Sequence, residues 1–177
     1  ATPLQGDIAS TGRRGQGRGR FLRIRGFTKA DFDHVVTVLD RWWGGPAGER
    51  AHPVFFYELG EHALVAEEDG ELVGFLLGFL APTSPPTGYV HLVGIHPDRR
   101  RQGVGHALYR VFTERCLGHG AVELKAITAV GNEGSIDFHR ALGFRVSEER
   151  DYAGPGRARV VFRKSLEGSG PASGDSP

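Results

Sequence analysis

The stretch Arg99-Arg100-Arg101-Gln102-Gly103-Val104-Gly105-His106 combines residue types suited to holding a polyanion. Three consecutive arginines bring positive charge, and two glycines one residue apart let a backbone approach a ligand closely. A strand before this loop and a helix after it would leave the first helical N–H groups without intrahelical acceptors. The helix dipole adds about half a positive charge at the same place, so a phosphate is the natural ligand. Gly103 and Gly105 remove side chains that would keep a pyrophosphate off the backbone, and Arg100 and Arg101 supply counter-charge. A dinucleotide loop would carry a third small residue where Leu108 stands, and Glu123, about twenty residues on, sits at the wrong end of its strand to meet a ribose. An ordinary glycine-rich surface turn is the remaining alternative.

The surrounding elements supply that setting. "FLRIR" from Phe21 alternates as a strand, and Thr28-Lys29-Ala30-Asp31 reads as a capping-box start for a helix with an apolar face of Phe32, Val35, Val36 and Leu39. That helix stops near "WWGGP", and a weaker helical piece lies in "HPVFFYEL". Two apolar runs flank Asp69-Gly70, a hairpin signature. After the proline-rich "APTSPPTG" comes the strand "YVHLVGI", then the arginine-glycine loop, then a helix carrying Val104, Leu108, Val111 and Phe112 and ending around Gly118 and Gly120. "VELKAITA" is a further strand, Asn132 to Leu142 a short helix closed by Gly143, and "FRVSEERDY" with "ARVVFRKSL" a last antiparallel pair. The order β-α-α-β-β-β-α-β-α-β-β predicts a mixed α/β sheet rather than a doubly wound one.

Composition narrows the function classes. With 177 residues, 39% hydrophobic and 24% charged, the chain is sized for one core. A net charge of +1 does not give the field of a general nucleic-acid binder, so any anion site is local and no nucleic-acid partner is expected. The single cysteine, Cys116, excludes an internal disulfide, and no Cys/His cluster has metal-ligand spacing. The lone thiol fits a reducing cytoplasm. "FLLGFLA" from Phe75 is too short to span a bilayer, and the N-terminus lacks the apolar core of a signal peptide, so a soluble cytoplasmic protein with no membrane partner is expected. There is no methionine, and Ala1 is expected to be a processed or trimmed start. Residues 1–20 are Gly/Arg-rich and 167–177 Gly/Ser/Pro-rich, and both are expected to be disordered around a folded domain of residues 21–166.

"GIHPDRRRQGVGHAL" resembles the acetyl-CoA-binding motif of the Gcn5-related N-acetyltransferases, (Arg/Gln)-x-x-Gly-x-(Gly/Ala) after a strand, matched by Arg100, Gly103 and Gly105. A second motif of that family, Asn-x-x-(Ala/Ser)-x-x-Phe-(Tyr)-x-x-x-Gly-Phe, is matched by Asn132, Ser135, Phe138, Gly143 and Phe144. The resemblance implies a mostly antiparallel sheet of about seven strands flanked by about four helices, with a V-shaped split between the fourth and fifth strands. It implies acetyl-CoA as acyl donor and no metal. The CoA pyrophosphate would lie on Gln102 to Gly105, with Arg100, Arg101, Val104 and His106 around it, and the pantetheine arm along Val93, Gly94 and Ile95. Asn132, Ser135 and Phe138 would adjoin the cofactor; Asn132 is also a natural helix cap.

A thioester is already activated, so the protein must supply binding, orientation and protons. An alkyl amine with a pKa near 10.4 costs roughly 4–5 kcal/mol to deprotonate at neutral pH. His91, four residues before Ile95 on the strand that would carry the thioester, is the candidate base, with a packed sheet-face histidine as the alternative. His139 stands where the family usually has a tyrosine that protonates the departing thiolate, which makes it the candidate donor; Tyr152 and Tyr109 are weaker ones. Cys116 lies some 20 Å along its helix from the glycine loop, which favours direct transfer over an acyl-cysteine. Trp42, Trp43, Phe55, Phe56 and Tyr57 form either an acceptor wall or core anchors, and Asp40 in the last turn of its helix either has a specific partner or anchors an ammonium group. The expected activity is direct acetyl transfer to a small-molecule primary amine in a ternary complex, by a monomer or homodimer. A peptide or protein amine, or a non-catalytic CoA-binding module, are the alternatives.

Overall fold

Helix α1 (Lys29–Trp43) begins where the sequence requires it to. The Thr28 hydroxyl accepts from the Asp31 amide and the Asp31 carboxylate accepts from the Thr28 amide, so two orphan donors are satisfied reciprocally. Asp31 is further gripped by the Arg25 guanidinium, at 2.6 and 2.9 Å, which ties the helix start to the preceding strand. Gly44, left-handed at φ 73°, stops the helix and donates to the Asp40 carbonyl. The buried face is Phe32, Val35, Val38, Leu39 and Trp42. Val36, expected on that face, is only partly buried, because the stripe continues through Val38 to Trp42 instead.

The computed structural model describes residues 20–46 and 48–166. The two terminal segments expected to be disordered lie outside the described residues, apart from Arg20. The strands are β1 (Leu22–Gly26), β2 (Leu64–Glu68), β3 (Glu71–Ala81), β4 (Thr87–Ile95), β5 (Glu123–Thr128), β6 (Arg145–Glu149) and β7 (Arg159–Ser165). The other helices are α2 (Val54–Tyr57), α3 (Val104–Gly118) and α4 (Glu133–Ala141). The strands form one seven-stranded sheet in the order β1-β2-β3-β4-β5-β7-β6. Pairs β1–β2, β2–β3, β5–β7 and β6–β7 are antiparallel, whereas β4–β5 is parallel. The mixed, mostly antiparallel α/β fold expected from the sequence is the one found.

The chain divides into two compact units, residues 20–79 with 91–112 and residues 80–90 with 113–166, so that β3, β4 and α3 each contribute to both. In the first, Phe32, Val35, Leu39, Trp42, Val65, Phe75, Leu77 and Leu92 make a buried apolar cluster. The β2–β3 turn is Asp69-Gly70, both residues at positive φ (51° and 85°), the backbone hand that matches strand twist in a two-residue hairpin. In the second, Leu124, Ile136, Phe144, Val161 and Phe162 are buried. The parallel ladder runs from Thr87↔Glu123 to Val90↔Ala126 and ends there, while β4 itself continues to Ile95.

Gly94 lies in that continuation, and a Cβ built on it would stand 2.4 Å from the Phe75 ring. Gly94→Ala is therefore expected to lower unfolding stability by about 1–3 kcal/mol through overpacking, read from urea denaturation. A variant as stable as the parent would show that Phe75 does not pack tightly under β4.

Candidate functional site

The loop after β4 is held in shape by its own polar side chains. His96 caps a short 3₁₀ turn (Pro97–Arg99), its Nδ1 accepting from the Asp98 amide. Arg99 donates through Nε to Glu68 at 2.7 Å, an ion pair with both side chains largely covered. Arg100 donates through Nη2 to the carbonyl of Trp42, one of the carbonyls that the end of α1 leaves without an intrahelical donor. Gln102 donates to the Asp98 carbonyl at 2.8 Å. Arg101 and Gly103 both take left-handed conformations, at φ 62° and 86°, and lead directly into α3. Gly103 has nothing within 4 Å of where a Cβ would stand, so its backbone can be approached.

Of the three arginines, then, Arg99 and Arg100 brace the loop. The guanidinium of Arg100, which the sequence offers as counter-charge, donates to the Trp42 carbonyl at the end of α1. Arg101 is exposed and makes no hydrogen bond or ion pair among the described residues. With the amides of Val104 and Gly105 opening a fifteen-residue helix, the loop joins an uncommitted cation to helix N-terminal donors. That combination fits a diphosphate. His106 is exposed beside it, and Val93, Gly94 and Ile95 form the part of β4 beyond its ladder with β5.

His91 sits on β4, half-buried, its ring stacked on Phe55 of α2 with centroids 3.9 Å apart and planes 11° apart. Its Nε2 lies 3.0 Å from the Arg50 carbonyl. A carbonyl only accepts, so Nε2 carries the proton and Nδ1 keeps its lone pair in the neutral ring. Burial holds the His91 pKa below its ordinary value of 6.5, against the opposing pull of the Arg50 carbonyl. The ring is therefore uncharged at neutral pH.

His139 has a different setting. It is 3% exposed, its ring stacks on Phe162 at 3.9 Å, and Phe138 and Phe144 meet it edge-on at 5.3 Å. Its Nδ1 donates to the Ser135 carbonyl at 2.7 Å, and burial lowers its pKa. This is a neutral imidazole enclosed by three aromatic rings. Of the two tyrosines, burial drives the Tyr109 phenol far above its usual range, and Lys125 Nζ lies over the Tyr152 ring at 4.9 Å. Asn132 caps α4, accepting from the Ser135 amide at 3.3 Å and donating to Thr128 at 2.9 Å.

The residues expected around an acceptor separate into two sets. Trp42 is 3% exposed, packed on Phe75 and edge-on to His96, and so belongs to the core. Phe56 meets Phe27, Phe32 and Tyr57, and Trp43 packs against the same core. The Asp40 carboxylate accepts from the Gly48 amide at 2.5 Å, the specific partner that a carboxylate at a helix C-terminus needs. Phe55 is the aromatic side chain that meets His91. The backbone carbonyl of Arg50 has no sequence signature, because any residue there would offer the same acceptor.

Among the described residues no group of three or more His, Cys, Asp or Glu side chains could hold a metal ion. No helix among them is long and apolar enough to cross a membrane.

Comparison with known proteins agrees with the loop and the fold. The family model for GNAT acetyltransferases matches residues 32–144. An L-2,4-diaminobutyric acid acetyltransferase of Nocardia farcinica is 38% identical over 82 residues, 46% of this chain and 42% of that one. The chain thus aligns with less than half the length of that relative. An acetyltransferase of Pectobacterium atrosepticum is 26% identical over 151 residues, 74% of this chain and 100% of that one. A solved structure of a Salmonella typhimurium acetyltransferase with its cofactor acetyl-CoA has a TM-score of 0.64 at 20% identity, over 85% of this chain and 97% of that one.

Cys116 is fully buried on α3, and burial pushes its thiol up to about 12. Titration of the native protein with a thiol reagent at pH 8 should find no reactive group, and one per chain after unfolding in guanidinium. Rapid labelling of the native protein would mean that the helix face carrying Cys116 is accessible.

Proposed function

The chain belongs to the GNAT acetyltransferase family, and from that membership we propose that it transfers acetyl from acetyl-CoA to the primary amine of a small molecule. The observation that carries the cofactor side is the loop from Arg101 to Gly105. Two left-handed residues turn the chain into the start of α3, and one exposed cation, Arg101, has no hydrogen-bond or ion-pair partner among the described residues. Arg101 and the amides from Gln102 to Gly105 would hold the diphosphate, with Val93, Gly94 and Ile95 lining the arm. Bound acetyl-CoA supplies an acetyl thioester already activated toward an amine.

His91 acts on the acceptor. Its neutral ring takes a proton from the incoming ammonium at Nδ1, leaving the amine lone pair free. The depressed pKa keeps that ring unprotonated at neutral pH, so the supply of base falls only in acid. Cys116 takes no part, since its thiol is buried and protonated. The 82-residue likeness to a diaminobutyric acid acetyltransferase supports a small amine as acceptor. Assay of CoA release against small diamines, aromatic amines and short peptides tests the assignment, and activity confined to peptides would overturn the small-molecule reading.

Two variants separate the roles. Arg101→Glu places a like charge beside the diphosphate without disturbing packing, so CoA affinity measured by calorimetry should fall by more than about tenfold and the parent affinity should weaken with salt. His91→Ala should leave CoA affinity intact and lower kcat/KM for the amine by about 10²- to 10⁴-fold. In the parent, kcat/KM should decline below an apparent pKa lower than 6.5, because protonation of His91 removes the base. An unchanged profile in His91→Ala would exclude His91 as the base.

A further inference from the structure

The ring of His91 is fixed from two directions. Phe55 lies face to face with it, 11° from coplanar, and Phe55 is itself supported by Phe79 at 6.0 Å. The Arg50 carbonyl faces Nε2 at 3.0 Å. Among the described residues Nδ1 has no hydrogen-bond partner.

We propose that Phe55 and the Arg50 carbonyl are the positioning groups of His91, holding it as the Nε2–H tautomer with the Nδ1 lone pair turned outward for proton transfer. The proposal rests on His91 as the base for its functional meaning, although the tautomer it assigns is a property of the protein alone. An imidazole free in solution rotates about χ1 and χ2 and exchanges its proton between the two nitrogens. Here rotation would break the bond to the Arg50 carbonyl and lift the ring off Phe55. The other tautomer would set an Nε2 lone pair against a carbonyl lone pair. When the ammonium N–H bond breaks, the proton forms an Nδ1–H bond while Nε2–H stays on the Arg50 carbonyl. The positive charge then strengthens that hydrogen bond. The carbonyl is thus aligned for the charged form before the proton arrives. Arg50's guanidinium is the charged group that acts on the ring and opposes this, while Phe55 offers hydrocarbon.

Nitrogen-15 NMR of the imidazoles in the ligand-free protein, with the His91 signals assigned by their loss in His91→Ala, tests the tautomer without any turnover. The expected result is a single Nε2–H form above neutral pH. Phe55→Leu removes the stacked face, so tautomer exchange should appear and kcat/KM for the amine should drop about 10- to 100-fold with CoA affinity unchanged. Phe55→Tyr keeps the ring and should restore both. A parent spectrum of the Nδ1–H form, or of a mixture, would overturn the proposal even if no variant folds. So would a Phe55→Leu spectrum identical to the parent's. Full activity in His91→Ala with the Nε2–H signature present in the parent would refute the base assignment and leave the tautomer standing, so the two readings fail on different measurements.

Discussion

The left-handed turn at Arg101 and Gly103 is the constraint on which the cofactor end of this protein depends. A strand can hand over to a helix in so few residues only if the backbone reverses through positive φ, which glycine accepts freely and arginine adopts at a cost. The cost is offset by the braces around it. Arg99 is held by Glu68, Arg100 by the last turn of α1, Gln102 by Asp98, and His96 by the 3₁₀ turn it caps. A loop whose polar side chains are mostly spent on its own shape presents backbone donors rigidly, and rigid donors bind an anion with little ordering cost.

The same economy governs the segment around α2 in the first unit. Helix α2 is a single turn, too short to be stable alone, and it persists because Phe55 and Phe56 pack in opposite senses. Phe56 joins Phe27 and Phe32 in the core, whereas Phe55 reaches Phe79 and His91. Asp40 closes the chain segment between α1 and α2 by accepting the Gly48 amide, and Arg50, two residues on, turns its carbonyl to His91. A stretch with little regular structure is thereby made specific by these two contacts.

Two histidines on regular elements are enclosed to different extents by the tertiary structure. Each lies on a regular element, each donates a ring N–H to a backbone carbonyl, and each has its pKa lowered by burial. His139 is enclosed by Phe138, Phe144 and Phe162, so its ring fills space. His91 is covered on one face by Phe55 and keeps Nδ1 unengaged. The difference lies in how many sides the tertiary structure leaves open.

By itself the sequence determined the order of elements, the capping box at Thr28 and Asp31, the Asp69-Gly70 hairpin and the glycine loop ahead of α3. Each is encoded by residues within a few positions of one another, where backbone preference and local hydrogen bonds decide. It also carried both family motifs, because those are short and contiguous. Only the tertiary structure decided that Arg100 reaches a carbonyl 58 residues away, that Trp42 belongs to the core, that His139 is boxed in by aromatic rings, and that His91 meets Arg50 across 41 residues. Side-chain partners so distant along the chain are chosen by packing, and composition and spacing carry no trace of which surfaces packing brings together.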